Sequence, residues 1–346
     1  MTANNAPTTS AAPAPMALRD LIVGGWVSQA VYVAAKLGLA DLVEDGPKSP
    51  AELAEATGTR ADRLHRVLRM LASIGVFVEN EDGRFALTPL AEGLRSRAPV
   101  SWRAFAIFCG ENWHWRAWGE LLHSVRTGEP AFEHTFGTSL FDYLSGNPEA
   151  AQVFDTAMTS SGALQNRAVV SAYDFSAGTI VDVGGGEGAL LAAILARNPD
   201  ARGVLFDLPH AAEGAAGLLA AAGLAQRCEV VPGSFFEQVP TGGDVYILKR
   251  IIHDWNDERS REILARCRTA IPETGRLLLI EHVLAPGNAP SWAKLLDLEM
   301  LVMTSGGRER SEEEFRILLA SVGFVLQRVI PTAGPICIIE AIPHGA

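Results

Sequence analysis

A glycine-rich loop between a predicted strand and a predicted helix restricts the second half of this chain to few folds. Residues 179–183 form the strand, Gly184-Gly185-Gly186-Glu187-Gly188 the loop, and residues 189–197 the helix. Glycines at such a turn let a ligand approach the backbone where the helix dipole begins. Asp207 ends the next predicted strand, at a spacing where an acid can hold ribose hydroxyls. The pattern predicts a ribose-bearing cofactor at this crevice.

Strands and helices alternate through the same half, which predicts a parallel sheet covered by helices on both faces. The predicted strands span residues 179–183, 203–207, 229–231, 244–249 and 276–281. The last two segments, 324–330 and 336–341, have no helix between them. Their short connection requires an antiparallel pair, which we expect at the edge of the sheet. The predicted fold class is α/β.

Two carboxylates at the glycine loop distinguish between cofactor classes. The start of a helix favours anions, so the pyrophosphate of a dinucleotide would lie there. Asp182 precedes the first glycine by two residues, and Glu187 lies inside the loop. Both would repel a pyrophosphate, whereas they suit an ammonium group and a sulfonium. The loop therefore favours S-adenosylmethionine over NAD.

The segment after residues 244–249 contains a candidate general base. Asn256 is a good N-cap and Asp257 suits a first helical turn, so a helix start explains both. It does not explain His253 or Trp255. Ligands of open α/β sheets bind beyond the carboxyl ends of the strands, which is where His253 falls. A buried structural histidine is the competing interpretation.

The first half begins with a helical pattern at residues 19–43, whose apolar residues occupy more than one face and indicate a partner chain. A capping box at Ser49–Glu52, a second helix with an apolar stripe from Leu64 to Leu71, and a hairpin of residues 76–78 and 85–87 follow. This order predicts a winged helix. The segment 49–97 holds equal numbers of acids and bases, which argues against DNA binding.

Tryptophan is concentrated in residues 102–118, together with Phe105 and Phe108. A packed core explains such a stretch as well as a binding site does. The functional interpretation is the wall of a pocket for a flat apolar ligand, because ligand sites are largely apolar with few polar groups. The four tryptophans are Trp102, Trp113, Trp115 and Trp118.

Charge and composition exclude several partners. The net charge of −11 counts against nucleic acid or an anionic membrane surface as the main partner. The uncharged stretch from Leu21 to Ala35 is too short and too polar to span a bilayer. Residues 1–17 are uncharged, which predicts a disordered tail without a signal peptide. Four scattered cysteines fit a reducing, cytoplasmic location and argue against zinc.

Three motifs, in this order along the chain, resemble those of one enzyme family. They are Val181-Asp182-Val183-Gly184-Gly185-Gly186-Glu187-Gly188, His253-Asp254-Trp255 and Gly306-Gly307-Arg308-Glu309-Arg310. The sequence resembles the class I small-molecule O-methyltransferases, which include plant caffeate and flavonoid enzymes and bacterial enzymes of antibiotic and phenazine tailoring. The resemblance covers residues 20–343.

The resemblance implies an α/β fold of two parts. These are a Rossmann-like class I methyltransferase domain, with a parallel sheet and an antiparallel final hairpin, and an N-terminal α-helical, winged-helix dimerisation domain. The implied segments are a disordered tail (1–17), the winged-helix dimerisation domain (18–100), a helical substrate-pocket region (101–170) and the catalytic domain that binds S-adenosylmethionine (171–346).

The resemblance also implies residue roles. His253 would be the general base, flanked by Glu281 and Glu309. The cofactor, with S-adenosylhomocysteine as its product, would be bound by Asp182, Gly184, Gly186, Asp207, Ser234, Phe235 and Lys249. The substrate positions would be Trp113, Phe154, Met158, Asp254, Met300, Met303 and Thr304. The chain departs from the family at Ser234, where relatives often have aspartate, and at Thr304-Ser305, where plant relatives often have Asn-Pro.

The predicted function is methyl transfer from S-adenosylmethionine to a phenolic hydroxyl of an aromatic secondary metabolite of one or more rings. The alternative is a tailoring enzyme of the same family that performs N-methylation, or hydroxylation or decarboxylation without methyl transfer. The expected partners are the small aromatic substrate and a second copy of the chain. We expect no metal, no nucleic acid and no membrane.

Overall fold

The computed structural model describes residues 14–176 and 178–344. The chain divides into two compact units, one up to Asn112 and one from Trp113 onward. None of the described helices has both the length and the apolarity needed to cross a bilayer.

The first unit consists of helices and one small hairpin. Its elements are α1 (Ala14–Ile22), α2 (Gly24–Lys36), α3 (Leu39–Leu42), α4 (Pro50–Thr57), α5 (Ala61–Ser73), β1 (Phe77–Glu79), β2 (Phe85–Leu87), α6 (Pro89–Glu92) and α7 (Arg103–Gly110). Strands β1 and β2 pair antiparallel, as predicted. The predicted capping box is confirmed, because Ser49 accepts the N–H of Glu52 and Glu52 accepts the N–H of Ser49.

Two expectations for the start of this unit need correction. The helical segment predicted at 19–43 is interrupted at Val23 and at Gly38, whose φ of +65° is left-handed and cannot continue a helix. Residues 14–17, expected in the disordered tail, belong to α1. A proline in a first helical turn costs little, because the N–H groups there have no intrahelical acceptor. Residues 1–13 of the predicted tail lie outside the described residues.

The second unit is built around a mixed sheet. Its helices are α8 (Asn112–Gly119), α9 (Leu121–Thr127), α10 (Ala131–Phe136), α11 (Leu140–Gly146), α12 (Pro148–Ala172), α13 (Ala189–Arg197), α14 (Pro209–Ala221), α15 (Asp257–Ala270), α16 (Trp292–Met303) and α17 (Glu312–Ala320). Its strands are β3 (Thr179–Val183), β4 (Arg202–Asp207), β5 (Cys228–Pro232), β6 (Val245–Lys249), β7 (Arg276–Leu284), β8 (Arg310–Ser311), β9 (Phe324–Pro331) and β10 (Ile336–Pro343).

The strand order is β5-β4-β3-β6-β7-β10-β9, and β8 pairs with the end of β7. All pairs are parallel except those of β10, which runs antiparallel to β7 and β9. The predicted parallel sheet with an antiparallel final hairpin is confirmed. Strand β7 runs past the predicted end at Glu281, because Val283 and Leu284 pair with Arg310 and Ser311 of β8.

The two faces of the sheet are covered by different helices. Alternate residues of a strand point to opposite faces, so Leu277 and Leu279 pack on one face while Leu278 and Ile280 pack on the other. Helices α15 and α17 cover the first face, and α12, α13 and α14 cover the second. Burial on both faces accounts for the nearly continuous apolar runs of these strands.

Candidate active site

The glycine loop after β3 lies where the strand order diverges. Strand β4 pairs on one side of β3 and β6 on the other, which is the place where open α/β sheets bind ligands. Gly184 has a φ of +70°. A Cβ atom built on it would lie 2.6 Å from Cδ1 of Ile251, in the segment that follows β6. The left-handed dihedral angle favours glycine there, and a larger residue would also displace the side chain of Ile251.

Asp207 lies at the end of β4, directly against the loop. Its Oδ2 accepts the N–H of Gly186 at 2.7 Å, and its Oδ1 accepts the N–H of Leu208 at 2.6 Å. Each carboxylate oxygen has a second lone pair, so the group retains capacity to accept hydrogen bonds from ribose hydroxyls.

Asp182 lies beneath the loop rather than on its surface. The residue is buried, and a Cβ atom built on Gly185 would lie 2.8 Å from its carboxyl carbon. Burial raises the pKa of this carboxyl to about 7. Its Oδ2 has no hydrogen-bond partner among the described residues. A buried acceptor of this kind is satisfied by a donor such as an ammonium group, so the predicted cofactor role of Asp182 stays a prediction.

Lys249 ends β6 and is held by α12. Its Nζ donates to Oδ1 of Asn166 at 2.6 Å, and burial lowers the pKa of the ammonium to about 8. Gly162 lies one turn before Asn166, and a Cβ atom there would approach Nζ to 3.4 Å. Sequence reasoning missed Asn166, because one polar residue in a long helical pattern gives no signal of its partner.

Ser234 and Phe235 follow β5, at the same carboxyl edge of the sheet as the glycine loop after β3. The hydroxyl of Ser234 accepts the N–H of Phe236 at 3.3 Å, so it stabilises its own turn. The ring of Phe235 borders the loop, with Cε1 3.5 Å from the point that a Cβ atom of Gly184 would occupy.

A short 3₁₀ turn, Ile252–Asp254, carries the candidate base. Nδ1 of His253 lies 2.9 Å from Oε1 of Glu309, and both side chains are buried. Nε2 of His253 lies 3.4 Å from Oδ1 of Asp254. When Nδ1–H donates to Glu309, Nε2 keeps its lone pair and can accept a proton. This is the geometry of a histidine oriented by a carboxylate.

Glu281 has a different role from Glu309. Its Oε1 accepts the N–H groups of Ile251 at 3.1 Å and Ile252 at 2.9 Å. The carboxylate lies near His253, as expected from the resemblance, but its hydrogen bonds fix the backbone of the turn. A carboxylate with two backbone donors holds the turn in one conformation.

Charge in this cluster controls the protonation of His253. Burial lowers the pKa of the imidazole, but the charges of Asp254 and Glu281 and the hydrogen bond that His253 donates to Glu309 outweigh it, and the pKa rises to about 9. Burial also raises the pKa of the Asp254 and Glu281 carboxyls. In the free protein the imidazole therefore carries a proton at neutral pH and becomes a base as the pH rises towards 9.

The same three groups have the composition of a metal site. One nitrogen or oxygen atom from each of His253, Glu281 and Glu309 lies within 4.8 Å of the others. Imidazole and carboxylate are ligands of divalent transition metals. Among the described residues, Nδ1 of His253 is hydrogen-bonded to Glu309 and Oε1 of Glu281 accepts two backbone donors, whereas Oε2 of each glutamate is buried without a hydrogen-bond partner.

The paired glycines Gly306 and Gly307 allow their own segment to lie close against the backbone of the turn that carries His253. A Cβ atom on Gly307 would lie 2.2 Å from Oγ1 of Thr304 and 2.7 Å from the carbonyl oxygen of His253. The N–H of Arg308 donates to that same carbonyl at 2.8 Å. The segment that delivers Glu309 is therefore pressed against the backbone of the turn.

Arg310 locks the turn from the other side. Its buried guanidinium donates to the carbonyl of Ile252 at 2.9 Å and to that of Trp255 at 2.9 Å. It also pairs with Oδ1 of Asp257 at 2.7 Å. Arg310 was not predicted to be functional from the sequence, although it stands in the motif that contains Glu309. Its role depends on contacts that only the folded chain makes.

The predicted substrate residues fall in two groups. Asp254 lies beside the base, and the sulfur of Met158 contacts Nη1 of Arg250 at 3.5 Å. Oγ1 of Thr304 lies 2.2 Å from the point that a Cβ atom of Gly307 would occupy. Met300 and Met303 are buried on α16, and Phe154 packs its ring against that of Phe141. The substrate role of Met300, Met303 and Phe154 stays a prediction.

Trp113 belongs to a buried aromatic cluster. Its ring lies 6.4 Å from that of Phe132 and 6.3 Å from that of Tyr143, measured between centroids. Next to it, Glu299 of α16 accepts hydrogen bonds from the side chain of Trp118 at 2.6 Å and pairs with His114 at 2.9 Å. Trp113 is therefore packed among aromatic rings and Trp118 is tied to α16, whereas Trp102 and Trp115 are exposed.

Two protein-family profiles match the chain. A profile described as O-methyltransferase domain matches residues 118–325, and one described as O-methyltransferase dimerisation domain matches residues 19–96. The chain belongs to the O-methyltransferase family. The predicted enzyme class and the predicted cofactor, S-adenosylmethionine, are confirmed by this membership and by relatives solved with S-adenosylmethionine or S-adenosylhomocysteine.

Individual relatives cover nearly the whole methyltransferase. The phenazine O-methyltransferase of Lysobacter antibioticus is 52% identical over 99% of this chain and 100% of the relative. The crystal structure of LaPhzM has a TM-score of 0.90 at 53% identity and covers 96% of this chain and 99% of that one. An O-methyltransferase from neocarzinostatin biosynthesis, solved with S-adenosylmethionine and 2-hydroxy-5-methyl naphthoic acid, has a TM-score of 0.81 at 36% identity, covering 96% and 100%.

The residues of the loop fit S-adenosylmethionine in this methyltransferase. Asp207 offers acceptors for ribose hydroxyls, and the ring of Phe235 offers a flat apolar surface at the loop. The orphaned Oδ2 of Asp182 matches the cationic character of the cofactor. S-adenosylmethionine supplies an electrophilic methyl group on a sulfonium, which departs as a neutral thioether.

Proposed function

We propose that the enzyme methylates a phenolic hydroxyl of an aromatic secondary metabolite, with His253 as the general base. The observation that carries this proposal is the buried pair of His253 and Glu309, 2.9 Å apart at the carboxyl end of β6. A purely structural role for His253 would not account for a second carboxylate, that of Asp254, at 3.4 Å from Nε2.

His253 removes the proton that makes a phenol a poor nucleophile. Phenols have a pKa of about 10, so little phenolate is present at neutral pH. In the neutral imidazole, whose fraction grows as the pH rises towards 9, Nε2 accepts the hydroxyl proton while Nδ1–H stays bonded to Glu309, whose charge stabilises the imidazolium that forms. General base catalysis of this kind contributes about 10²- to 10⁴-fold to the rate.

The remaining contribution comes from a rigid turn. Glu281 fixes its backbone N–H groups and Arg310 fixes its carbonyls, so Nε2 is held in one position before the acceptor arrives. Fixed geometry removes an entropic cost from the reaction of two bound groups. These residues act on the rate through the position of His253.

An aromatic acceptor is supported by the packed aromatic wall and by one relative. Trp113, Phe132 and Tyr143 form a cluster of rings in the catalytic unit. Ligand sites are lined mainly by apolar and aromatic side chains. The neocarzinostatin enzyme was solved in complex with a hydroxylated naphthoic acid, which is an aromatic compound with a phenolic hydroxyl.

The test is single-turnover methyl transfer from labelled S-adenosylmethionine to a panel of phenols and phenazines. We expect His253→Ala to lose about 10²- to 10⁴-fold in rate and to keep its affinity for the cofactor. The exposed His344→Ala is the matched control. Mass spectrometry should find one added methyl group on oxygen. Unchanged turnover by His253→Ala, or methylation on nitrogen, would contradict the proposal.

We also propose that the methyltransferase is a homodimer joined through α1 and α2. Leu21, Ile22 and Trp26 are 79%, 73% and 74% exposed, which is unusual for adjacent large apolar residues. The family profile that matches residues 19–96 is a dimerisation domain. Light scattering should give twice the chain mass, and Trp26→Glu should weaken the dimer while Ile317→Glu on α17 does not. A wild-type monomer at micromolar concentration would refute this.

We place the enzyme in the reducing cytoplasm on the state of its cysteines. Cys228, Cys267 and Cys337 form no disulfide bond within the described part of the chain. Free thiols persist where the compartment is reducing. Alkylation in intact cells followed by mass spectrometry should label the accessible thiols as reduced. Disulfide-linked peptides in that experiment would contradict the assignment.

A further inference from the structure

Arg250 adopts a strained backbone conformation beside the base. Its φ is +55°, and it is the one non-glycine residue of the described chain with a positive φ. This conformation costs about 1 kcal/mol or more for a residue with a Cβ atom, and such strain is concentrated at functional sites. The backbone around it is held in place, because its N–H donates to Ile280 and Glu281 binds the two N–H groups that follow.

The guanidinium of Arg250 lacks the acceptors that arginine normally has. Its Nε is buried and without a hydrogen-bond partner among the described residues. Its Nη1 meets only the thioether sulfur of Met158, a weak acceptor, at 3.5 Å. No carboxylate within the described part of the chain comes close enough to form an ion pair with it. Leaving the buried Nε of a charged group without an acceptor is unfavourable, so the fold leaves this half-buried guanidinium incomplete.

Arg310 provides the contrast within the same site. Its guanidinium binds two backbone carbonyls, the carboxylate of Asp257 and the hydroxyl of Ser260. The chain therefore satisfies one arginine beside the turn completely and leaves the other with unused donors. The unused donors belong to the arginine that interacts electrostatically with His253 and Asp254.

We propose that Arg250 binds a carboxylate carried by the aromatic acceptor, so that the substrate class is the hydroxylated aromatic carboxylic acids. This rests on the proposed function, because it places the acceptor beside His253. The planar guanidinium matches a carboxylate in a two-pronged geometry that lysine does not reproduce. Met158, an expected substrate residue on α12, marks the side of the site from which the acceptor meets the guanidinium.

The competing explanation is that Arg250 only balances the negative charge of Asp254, Glu281 and Glu309. The two explanations predict different effects of an Arg250 substitution on the binding of a neutral acceptor. If Arg250 binds the carboxylate, the enzyme binds an acid more tightly than its carboxamide, and the substitution removes that preference. A residue that balances charge affects both acceptors alike and shifts the titration of His253.

The experiment measures acceptor binding to the enzyme saturated with S-adenosylhomocysteine, by quenching of tryptophan fluorescence. The probes are hydroxybenzoates and hydroxynaphthoates, each beside its neutral carboxamide. The variants are Arg250→Gln, Arg250→Lys and Arg250→Gly, the last of which relieves the strained φ and so favours folding. Arg261→Gln, an exposed arginine of α15, is the matched control.

We expect the wild-type enzyme to bind at least one acid about 10- to 100-fold more tightly than its carboxamide. Arg250→Gln and Arg250→Gly should abolish this preference, Arg250→Lys should retain part of it, and the control should keep it. No preference in the wild type, no binding of either probe, or equal loss for acid and carboxamide would overturn the proposal. Because binding is measured without turnover, failure of the base mechanism is detected separately, by His253→Ala.

Discussion

Replacing Glu309 by glutamine removes one negative charge from the base and keeps the shape of the side chain. Nδ1 of His253 lies 2.9 Å from Oε1 of Glu309, and the exposed fractions of the two side chains are 3% and 0%. A hydrogen bond to a charged partner contributes about 1.5–3 kcal/mol at such a site. One pKa unit corresponds to about 1.4 kcal/mol. Glu309→Gln should therefore lower the pKa of His253 by about 1–2 units.

The sign follows from the two charge states of the imidazole. Burial lowers the pKa of His253, and the surrounding carboxylates raise it to about 9. Glu309 favours the protonated ring, so its removal shifts the titration to lower pH. The same energy is lost from the imidazolium that forms during methyl transfer, which should reduce kcat by about 10- to 150-fold at the plateau of the pH profile.

Two assays test this prediction. NMR titration of the histidine Cε1–H resonances gives the pKa, and the signal missing from His253→Ala identifies the resonance. Single-turnover methyl transfer between pH 6 and 10 gives the rate. Glu313→Gln, the same change at an exposed position of α17, is the control. A midpoint that does not move, with kcat within twofold of the wild type, would refute the role of Glu309.

Three further perturbations test the parts of the site that hold the turn. Gly307→Ala should have a lower kcat and an unfolding free energy lower by about 1–3 kcal/mol, since its Cβ would lie 2.7 Å from the carbonyl oxygen of His253. The control is Gly217→Ala in α14, which has open space around it and should be neutral or stabilising in thermal unfolding. Arg310→Lys should lower stability by on the order of 3 kcal/mol and reduce kcat with little change in cofactor affinity, because lysine lacks the fork that joins Ile252 and Trp255; unchanged unfolding in urea would count against this. EDTA should leave turnover unaffected, because the leaving thioether is neutral and develops no charge that a metal would stabilise; activity lost with EDTA and restored by a divalent ion would show that the cluster of His253 and its carboxylates holds a metal.

The fold was largely predictable because its signals are local. The alternation of apolar strands with helices, the glycines before α13 and the lack of a helix between β9 and β10 each depend on neighbouring residues. The two interruptions of the first helical segment were not predicted. Gly38 ends a helix through its own dihedral angle, but the sequence around it continues an apolar pattern.

The site was predictable only in part. His253 and Glu309 were found through motifs and their order, and the structure brings them to hydrogen-bond distance across 56 positions of sequence. The backbone role of Glu281, the buried guanidinium of Arg310 and the hydrogen bond from Lys249 to Asn166 had no signal in the sequence. Each depends on which side chain meets which backbone group.

The sequence by itself determined the elements, the sheet they form and the chemical groups available at its carboxyl edge, because propensity, periodicity and glycine conformation act over a few residues. Tertiary structure alone decided how those groups are used. It assigned one carboxylate to the imidazole and another to the backbone, and it left Arg250 strained and without a matching acceptor. Hydrogen bonds and charges act over a few ångströms in space, and the distance along the chain does not determine which groups come within that reach.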